Sequence, residues 1–272
     1  IKGKYGTING LIHCATVKGG GLLKDETQES ITSRLLPKFF GTWVIEELTK
    51  DEEMDFLILC SSAMTIIGEV GAGGYCAANA YLDAVAPYFR AKGRKAITIN
   101  WPEWKNTGMS KDVKTDETKE LFNILTPRKA INAFENILNS GAARVIAGQL
   151  NYGSIIYELE AVLPFQVSKG VQELIDNEKK IKASRTKKAD NYTVLLQGKN
   201  NYTKMEKEVA RITGEALGLK EINVFDNFYE LGMDSIFAMR IINQLFISTR
   251  IKVNIADFFA HLTVCDLAQY FE

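Results

Sequence analysis

Histidine is scarce in this sequence: His13 and His261 are the only two among 272 residues. A His-rich metal site or a Ser-His-Asp triad therefore has little to draw on, and both histidines are read as structural. No run of about 18 apolar residues occurs, which leaves no ordinary membrane-spanning helix. The first residues, Ile1 to Tyr5, hold no apolar signal core, so the expected location is the cytoplasm. An excess of either charge is also lacking. Lys plus Arg and Asp plus Glu stand at 33 each, so no overall field draws the chain to nucleic acid or to an anionic membrane. Cysteine is limited to Cys14, Cys60, Cys76 and Cys265, with no CxxC pair; set mostly among apolar neighbours, they are expected to be buried, reduced thiols.

What is present is an ordinary core-forming balance of 46% apolar and 24% charged residues. Short apolar runs at Gly10–Ala15, Met54–Cys60, Ala96–Trp101 and Ala143–Ala147 predict strands. Between them, residues Gln28–Lys50, Ala77–Ala91 and Thr126–Asn139 have helical periodicity. Such alternation predicts an α/β fold with a Rossmann-like parallel sheet. From Val167 to Asn201 the composition shifts to Lys, Asp, Asn and Ser, the signature of a linker. Beyond it, Met205–Leu217, Ser235–Leu245 and Thr263–Phe271 read as three helices without a convincing strand, which predicts a small all-α bundle. The expected divisions are 1–165, 166–201 and 202–272.

Two groups of residues carry chemistry. The strand ending Cys60-Ser61-Ser62 is followed thirteen residues later by Tyr75 at the head of a helix, with Asn79 one turn on, so Tyr75 and Asn79 share a helix face. Ser62 falls at a strand's carboxyl end, where parallel α/β sheets bind ligands. Taken singly, Ser62 could end a strand, Tyr75 pack in the core, Lys38 be solvated and Asn79 cap a turn. The glycine-rich stretch 68–74 is not a GxGxxG turn after a first strand, and it reads as a loop preceding Tyr75. The second group is Leu231-Gly232-Met233-Asp234-Ser235-Ile236. There Gly232 breaks a loop and Ser235 opens a helix, which predicts a surface hydroxyl.

The first half resembles the ketoreductase domains of modular polyketide synthases, within the short-chain dehydrogenase/reductase superfamily. The resemblance rests on Leu11–Ala15, Leu36–Trp43, the serine pair, Gly74–Ala80, and Ile99–Trp104 leading to Thr107-Gly108-Met109. In that family the lysine and asparagine of the usual active-site pattern exchange places, as Lys38 and Asn79 do here. The resemblance implies that Tyr75 donates a proton, that Lys38 lowers the pKa of Tyr75, that Ser62 bonds the substrate carbonyl and that Asn79 anchors a relay water. It also implies that Lys38, Tyr75 and Thr107 contact the nicotinamide side of NADPH. A nearby cation matters because a free tyrosine, with a pKa of about 10, is a sluggish acid near neutrality.

The family's dinucleotide-binding turn lies upstream of the His13 segment. The missing N-terminal half is therefore expected on a longer or a second polypeptide, and this chain alone is expected to be inactive as a reductase. The family's Leu-Asp-Asp motif would fall on Lys18-Gly19-Gly20 and the opposing tryptophan on Ile67. The missing aspartates lean slightly toward the A-type product; the tryptophan that marks that opposite class is absent too.

The second half, from about Tyr202, resembles acyl and peptidyl carrier domains, which implies a small all-α four-helix carrier bundle with Ser235 as the attachment point of 4'-phosphopantetheine. The implied partners are a phosphopantetheinyl transferase and other synthase domains, namely a ketosynthase, an acyltransferase and, as an optional addition, a dehydratase. Ile236, Met239 and Arg240 are candidate partner contacts, although packing in the bundle reads equally well for the first two. The implied function is reduction of a carrier-bound β-ketoacyl thioester in a polyketide or mixed polyketide and peptide assembly line. The rival is a structural reductase remnant beside a working carrier. A free-standing dehydrogenase ranks last, because it leaves Ser235 unexplained.

Overall fold

Alternating apolar segments build a four-stranded parallel sheet in the first of two units, Ile1–Asn151 and Tyr152–Glu272. The computed structural model describes residues 1–17, 19–69, 71–111, 115–158, 163–185 and 192–272. Lys18, where part of the stereochemical motif would fall, and residues 186–191 of the expected linker lie outside the described residues.

The first unit runs α1 (Lys2–Tyr5), β1 (Gly10–His13), α2 (Gln28–Thr49), β2 (Phe56–Ser62), α3 (Gly73–Ala91), β3 (Ala96–Trp101), α4 (Pro127–Leu138) and β4 (Arg144–Ile146). The sheet order is β1-β2-β3-β4, every pair parallel, with His13 opposite Leu59 and Ser62 opposite Trp101. Strand β2 is a continuous apolar run because both of its faces are covered. Leu57 and Leu59 pack with Leu82, Val85 and Phe89 of α3, while Ile58 points the other way into a cluster with Ile97, Ile99 and Ile137. Full burial of each such side chain stabilises by roughly 1.5–3 kcal/mol. Helix α2 begins at Thr27, whose hydroxyl accepts from the Ser30 amide at 3.1 Å, and α4 begins at Thr126 with Pro127 in its first turn. Among the described residues, no helix is long and apolar enough to cross a membrane.

The second unit runs α5 (Lys169–Arg185), β5 (Leu195–Gln197), α6 (Lys204–Leu217), β6 (Glu221–Asn223), α7 (Ser235–Thr249), α8 (Ile255–Ala260) and α9 (Val264–Phe271). Helices α6 to α9 enclose a core that includes Val209, Ile212, Phe228, Ile241, Leu245, Phe258 and Leu267. The rings of Phe228 and Phe258 stack at 5.9 Å.

Two departures from expectation have physical causes. The bundle is not purely helical, since β5 pairs with β6 in parallel; three-residue strands are too short to show alternation in sequence. Helix α5 occupies much of the stretch read as linker. Its polar composition hid it, yet it holds a fully buried Ile175.

Candidate functional sites

In the first unit, α2 carries Lys38 to the carboxyl end of β2. Its Nζ donates to the Cys60 carbonyl at 2.9 Å, and the residue is only 3% exposed. Burial pushes the ammonium below its ordinary range, opposed by the thiols of Cys60 and Cys14 and by Asp83. Two residues on, Ser62 caps the short 3-10 turn Ala63–Thr65, its Oγ accepting from the Met64 amide at 3.2 Å. That bond uses a lone pair and leaves the hydroxyl proton available to an outside acceptor.

Between them, the Ser61 hydroxyl donates to the Asn79 carbonyl at 3.2 Å, and the Asn79 side-chain amide donates to the Tyr75 carbonyl at 2.9 Å. The Asn79 Oδ1 is buried with no partner among the described residues. Hydrogen bonds thus link Lys38 of α2, the end of β2 and Asn79 of α3, and they reach Tyr75 through its main-chain carbonyl. Tyr75 is half-buried, in the first turn of α3. Thr107 lies outside this set, on the loop after β3, just before the 3-10 turn Gly108–Ser110.

A polar hub beneath Ser62 went unnoticed in the sequence. Fully buried Asn100 of β3 directs its Nδ2 at the Ser61 hydroxyl (3.1 Å), the Ser62 carbonyl (3.1 Å), the Thr65 hydroxyl (3.0 Å) and both Asp83 oxygens (3.0 Å each). Its Oδ1 accepts from Arg144 Nε at 3.0 Å, and the same arginine pairs with Asp83 at 2.9 Å. With two amide protons facing five acceptors, Asn100 holds the β2 terminus from below. A polar residue inside an otherwise apolar strand was the available signal.

The loop before Tyr75 meets the Gly19–Gly21 loop backbone to backbone, the Gly21 amide donating to the Gly71 carbonyl at 2.8 Å. A Cβ on Gly20 would come within 2.4 Å of that oxygen, so the approach requires glycine.

His13 is buried, and burial together with nearby Lys38 holds it below its usual range, as suits a packing residue. His261 packs its ring 4.9 Å from that of Tyr270. The cysteines correct the expectation of buried thiols: Cys14 is exposed and the other three are half-buried, although all four are free. Cys14 follows the last residue of β1.

In the second unit, Gly232 (φ 92°) makes the left-handed turn that brings the chain into α7. Asp234 is the N-cap, its Oδ1 accepting from the amides of Ile236 and Phe237 at 3.0 Å each. Ser235 is the first helical residue; its side chain, and with it the expected surface hydroxyl, lies outside what the structure describes. Of the candidate contact residues, Met239 packs against the bundle core, Ile236 is half-buried, and Arg240 pairs with Glu158 at 3.1 Å.

Residues 1–106 match the KR domain family and residues 207–271 the phosphopantetheine attachment site family. The chain thus joins a ketoreductase-domain region to a phosphopantetheine carrier domain. Its homologues are modular polyketide synthases. It is 28% identical over 282 aligned positions to polyketide synthase PksM of Bacillus subtilis (strain 168), a match covering 99% of this chain and 6% of PksM. With an erythronolide synthase of Saccharopolyspora erythraea the identity is 26% over 268 positions, covering 97% and 8%. The chain therefore spans less than a tenth of either relative.

Among solved structures, a ketoreductase domain from the bacillaene assembly line is 32% identical with a TM-score of 0.50, over 55% of this chain and 38% of that one. A-type ketoreductases from a modular polyketide synthase are 25% identical with a TM-score of 0.52, over 59% and 34%.

Proposed function

We propose that this chain is part of a polyketide-synthase module that reduces a β-ketoacyl thioester to the β-hydroxyacyl thioester, the acyl chain being tethered through phosphopantetheine on Ser235. The observation that supports the reading is the run of hydrogen bonds from Lys38 to the Cys60 carbonyl, from Ser61 to the Asn79 carbonyl and from Asn79 to the Tyr75 carbonyl, at the carboxyl end of β2. The functional divisions that go with it are 1–165 for the reductase region, 166–201 for the connection and 202–272 for the carrier.

The residues fit a nicotinamide dinucleotide. A buried cation stands at the strand ends, and Asn79 keeps an unpartnered acceptor beside Tyr75. Lys38, Tyr75 and Thr107 would hold the nicotinamide side of NADPH, which supplies hydride when bound. The chain's own residues do the rest. Ser62 donates its hydroxyl proton to the substrate carbonyl oxygen and fixes its position. Tyr75 delivers the proton that neutralises the developing alkoxide, and the Lys38 ammonium favours the tyrosinate left behind. Asn79 Oδ1 accepts from a water that returns a proton to Tyr75.

On the carrier side, a thioester on a flexible arm reaches the reductase at high effective concentration without tight binding. The transferase and the neighbouring synthase domains are the partners this reading requires.

The test is intact-protein mass spectrometry after incubation with coenzyme A and a broad-specificity phosphopantetheinyl transferase, with Ser235→Ala as control. A phosphopantetheine-sized gain that the variant lacks supports the reading. No gain on a folded chain removes the carrier half of the proposal.

A further inference from the structure

Tyr75 and Lys38, the proposed proton donor and the cation that supports it, sit on different helices, α3 and α2. Their spacing therefore depends on how α2 meets the head of α3. Arg34 lies one turn before Lys38 on α2, and residues four apart share a helix face. Its guanidinium stands against Gly74, the residue before Tyr75, so closely that a Cβ on Gly74 would lie 3.2 Å from Nη1 and 3.6 Å from Cδ. We propose that Arg34, held by Glu26, is a positioning residue for Tyr75; the proposal rests on the reduction assigned to this site above.

A guanidinium has the wrong sign for the head of a helix, where the backbone amides leave partial positive charge. Glu26 corrects this. Its carboxylate pairs with Arg34 and accepts from the Ser30 hydroxyl, and the two side chains are nearly buried, 3% exposed for Glu26 and 11% for Arg34. Those bonds, that from Arg34 first, hold the Glu26 carboxyl below its ordinary range and keep the pair charged at neutral pH. A buried ion pair is weak ground for stability, because apolar side chains of similar volume often serve as well or better. What it supplies is fixed geometry, since the rigid guanidinium fork sets a separation that flexible apolar side chains leave loose.

The same pair gathers the loop between β1 and α2. A Cβ on Gly19 would lie 3.3 Å from Arg34 Nε, one on Gly21 would lie 3.3 Å from Glu26 Oε1, and one on Gly73 would meet Leu23 Cδ2 at 2.8 Å. Glycines on both the loop and the helix head thus permit the close approach. The bond from the Gly21 amide to the Gly71 carbonyl adds a backbone tie just ahead of α3. Loop, α2 and the first turn of α3 close around Arg34 and Glu26, with Tyr75 the next residue along.

The test compares wild type, Glu26→Gln, Arg34→Met, Tyr75→Phe and the double variant Glu26→Leu with Arg34→Met in the synthase module. The double variant replaces the pair by apolar groups, so its thermal midpoint should match or exceed that of wild type. Its kcat for a β-ketoacyl thioester should nevertheless fall about tenfold to a hundredfold, with KM within about twofold of wild type. Glu26→Gln, nearly isosteric, should lower kcat by about threefold or more and serves if the double variant does not fold. Hydrogen exchange gives a readout independent of reduction. In the double variant the amides of Gly21 and Cys76 should exchange about tenfold faster, while those of Leu82 to Phe89 keep the wild-type rate. Wild-type kcat in the folded double variant or in Glu26→Gln overturns the proposal, as does unchanged exchange at Gly21 and Cys76. A loss of kcat that only tracks a loss of thermal stability overturns it too. Undiminished reduction by Tyr75→Phe is a different failure, which removes the proton-donor reading and this proposal with it.

Discussion

The Asn79 side-chain amide donates to the Tyr75 carbonyl, 2.9 Å away across one turn of α3, while its own Oδ1 is buried and unpartnered among the described residues. A buried acceptor without a donor costs about 1–3 kcal/mol, so the fold retains something here that does not stabilise it. The relay water proposed beside Tyr75 would supply the missing donor. Asn79→Leu should therefore leave stability nearly unchanged or improved, while slowing ketone reduction in the synthase module roughly tenfold to a hundredfold. Equilibrium unfolding and single-turnover reduction of a β-ketoacyl thioester measure the two effects separately. A stability loss as large as the activity loss would make Asn79 a packing residue.

Lys38 permits a pH argument. Burial holds its ammonium below the ordinary lysine range, so the folded chain gives up this proton at a lower pH than the unfolded chain. Between the depressed and the ordinary value the unfolded state binds more protons, and this residue's contribution to stability rises with pH. Its proposed role behaves oppositely, because the cation that supports Tyr75 is lost as pH rises through the depressed value. Lys38→Met should abolish the alkaline limb of the reduction profile and cut the rate about a hundredfold or more, while the chain still folds. A profile unchanged in shape would remove Lys38 from the proton-transfer machinery.

Much of this arrangement was legible in the sequence because its signals are local. The strand limits Ala96–Trp101 match the structure residue for residue, and helix α2 differs from its expected limits by one residue. Tyr75 and Asn79 lie one turn apart on α3, which begins at Gly73, four residues before the periodic stretch that starts at Ala77. Asn100 was not legible. Its partners Ser61, Asp83 and Arg144 come from three different elements, and only the parallel register gathers them. Helix α5 was hidden by its polar composition.

Asn100 should act through Ser62. Asn100→Leu fills a similar volume but strands the Asp83 carboxylate and Arg144 beside an apolar group, at a cost of about 2–4 kcal/mol. Asn100→Asp keeps one acceptor for Arg144 yet sets a second carboxylate against Asp83, and it should destabilise as well. If the hub positions Ser62, the weaker variant should raise KM for the ketone more than it lowers kcat. Thermal unfolding and steady-state kinetics of the module check this, and an unaltered KM would confine the hub to stability.

Glu120 should set the pH dependence of the first unit. Burial raises its carboxyl to about 7, reinforced by Glu103, Glu69 and Asp116. A carboxyl raised above its unfolded value binds its proton more tightly in the fold. Its contribution is fully present below about 4.5 and is lost as pH climbs toward 7. Glu120→Gln removes that titration, so the variant should be more stable than wild type at pH 8, by on the order of 1 kcal/mol after allowance for partial exposure. The two should converge at pH 4.5. Denaturant midpoints at both pH values decide the matter, and a variant less stable at pH 8 would mean that the Glu120 carboxylate makes a favourable contact there.

The carrier's stability should depend on a single reciprocal cap. Thr203 accepts from the Glu206 amide at 3.1 Å, and the Glu206 carboxylate accepts from the Thr203 amide at 2.9 Å, while Lys199 pairs with the same carboxylate. Glu206 is only 3% exposed, so its charge is protected from solvent screening. Removing it with Glu206→Ala leaves the Thr203 amide without its acceptor and Lys199 without its carboxylate, and should destabilise the second unit by about 1–2 kcal/mol. Glu206→Gln keeps an acceptor for the amide and loses only the charge pairing, so it should recover more than half of that loss. The ordering wild type, glutamine, alanine in denaturant midpoint is the expected result. Equal losses for both variants would assign the stabilisation to the Lys199 ion pair instead of the cap.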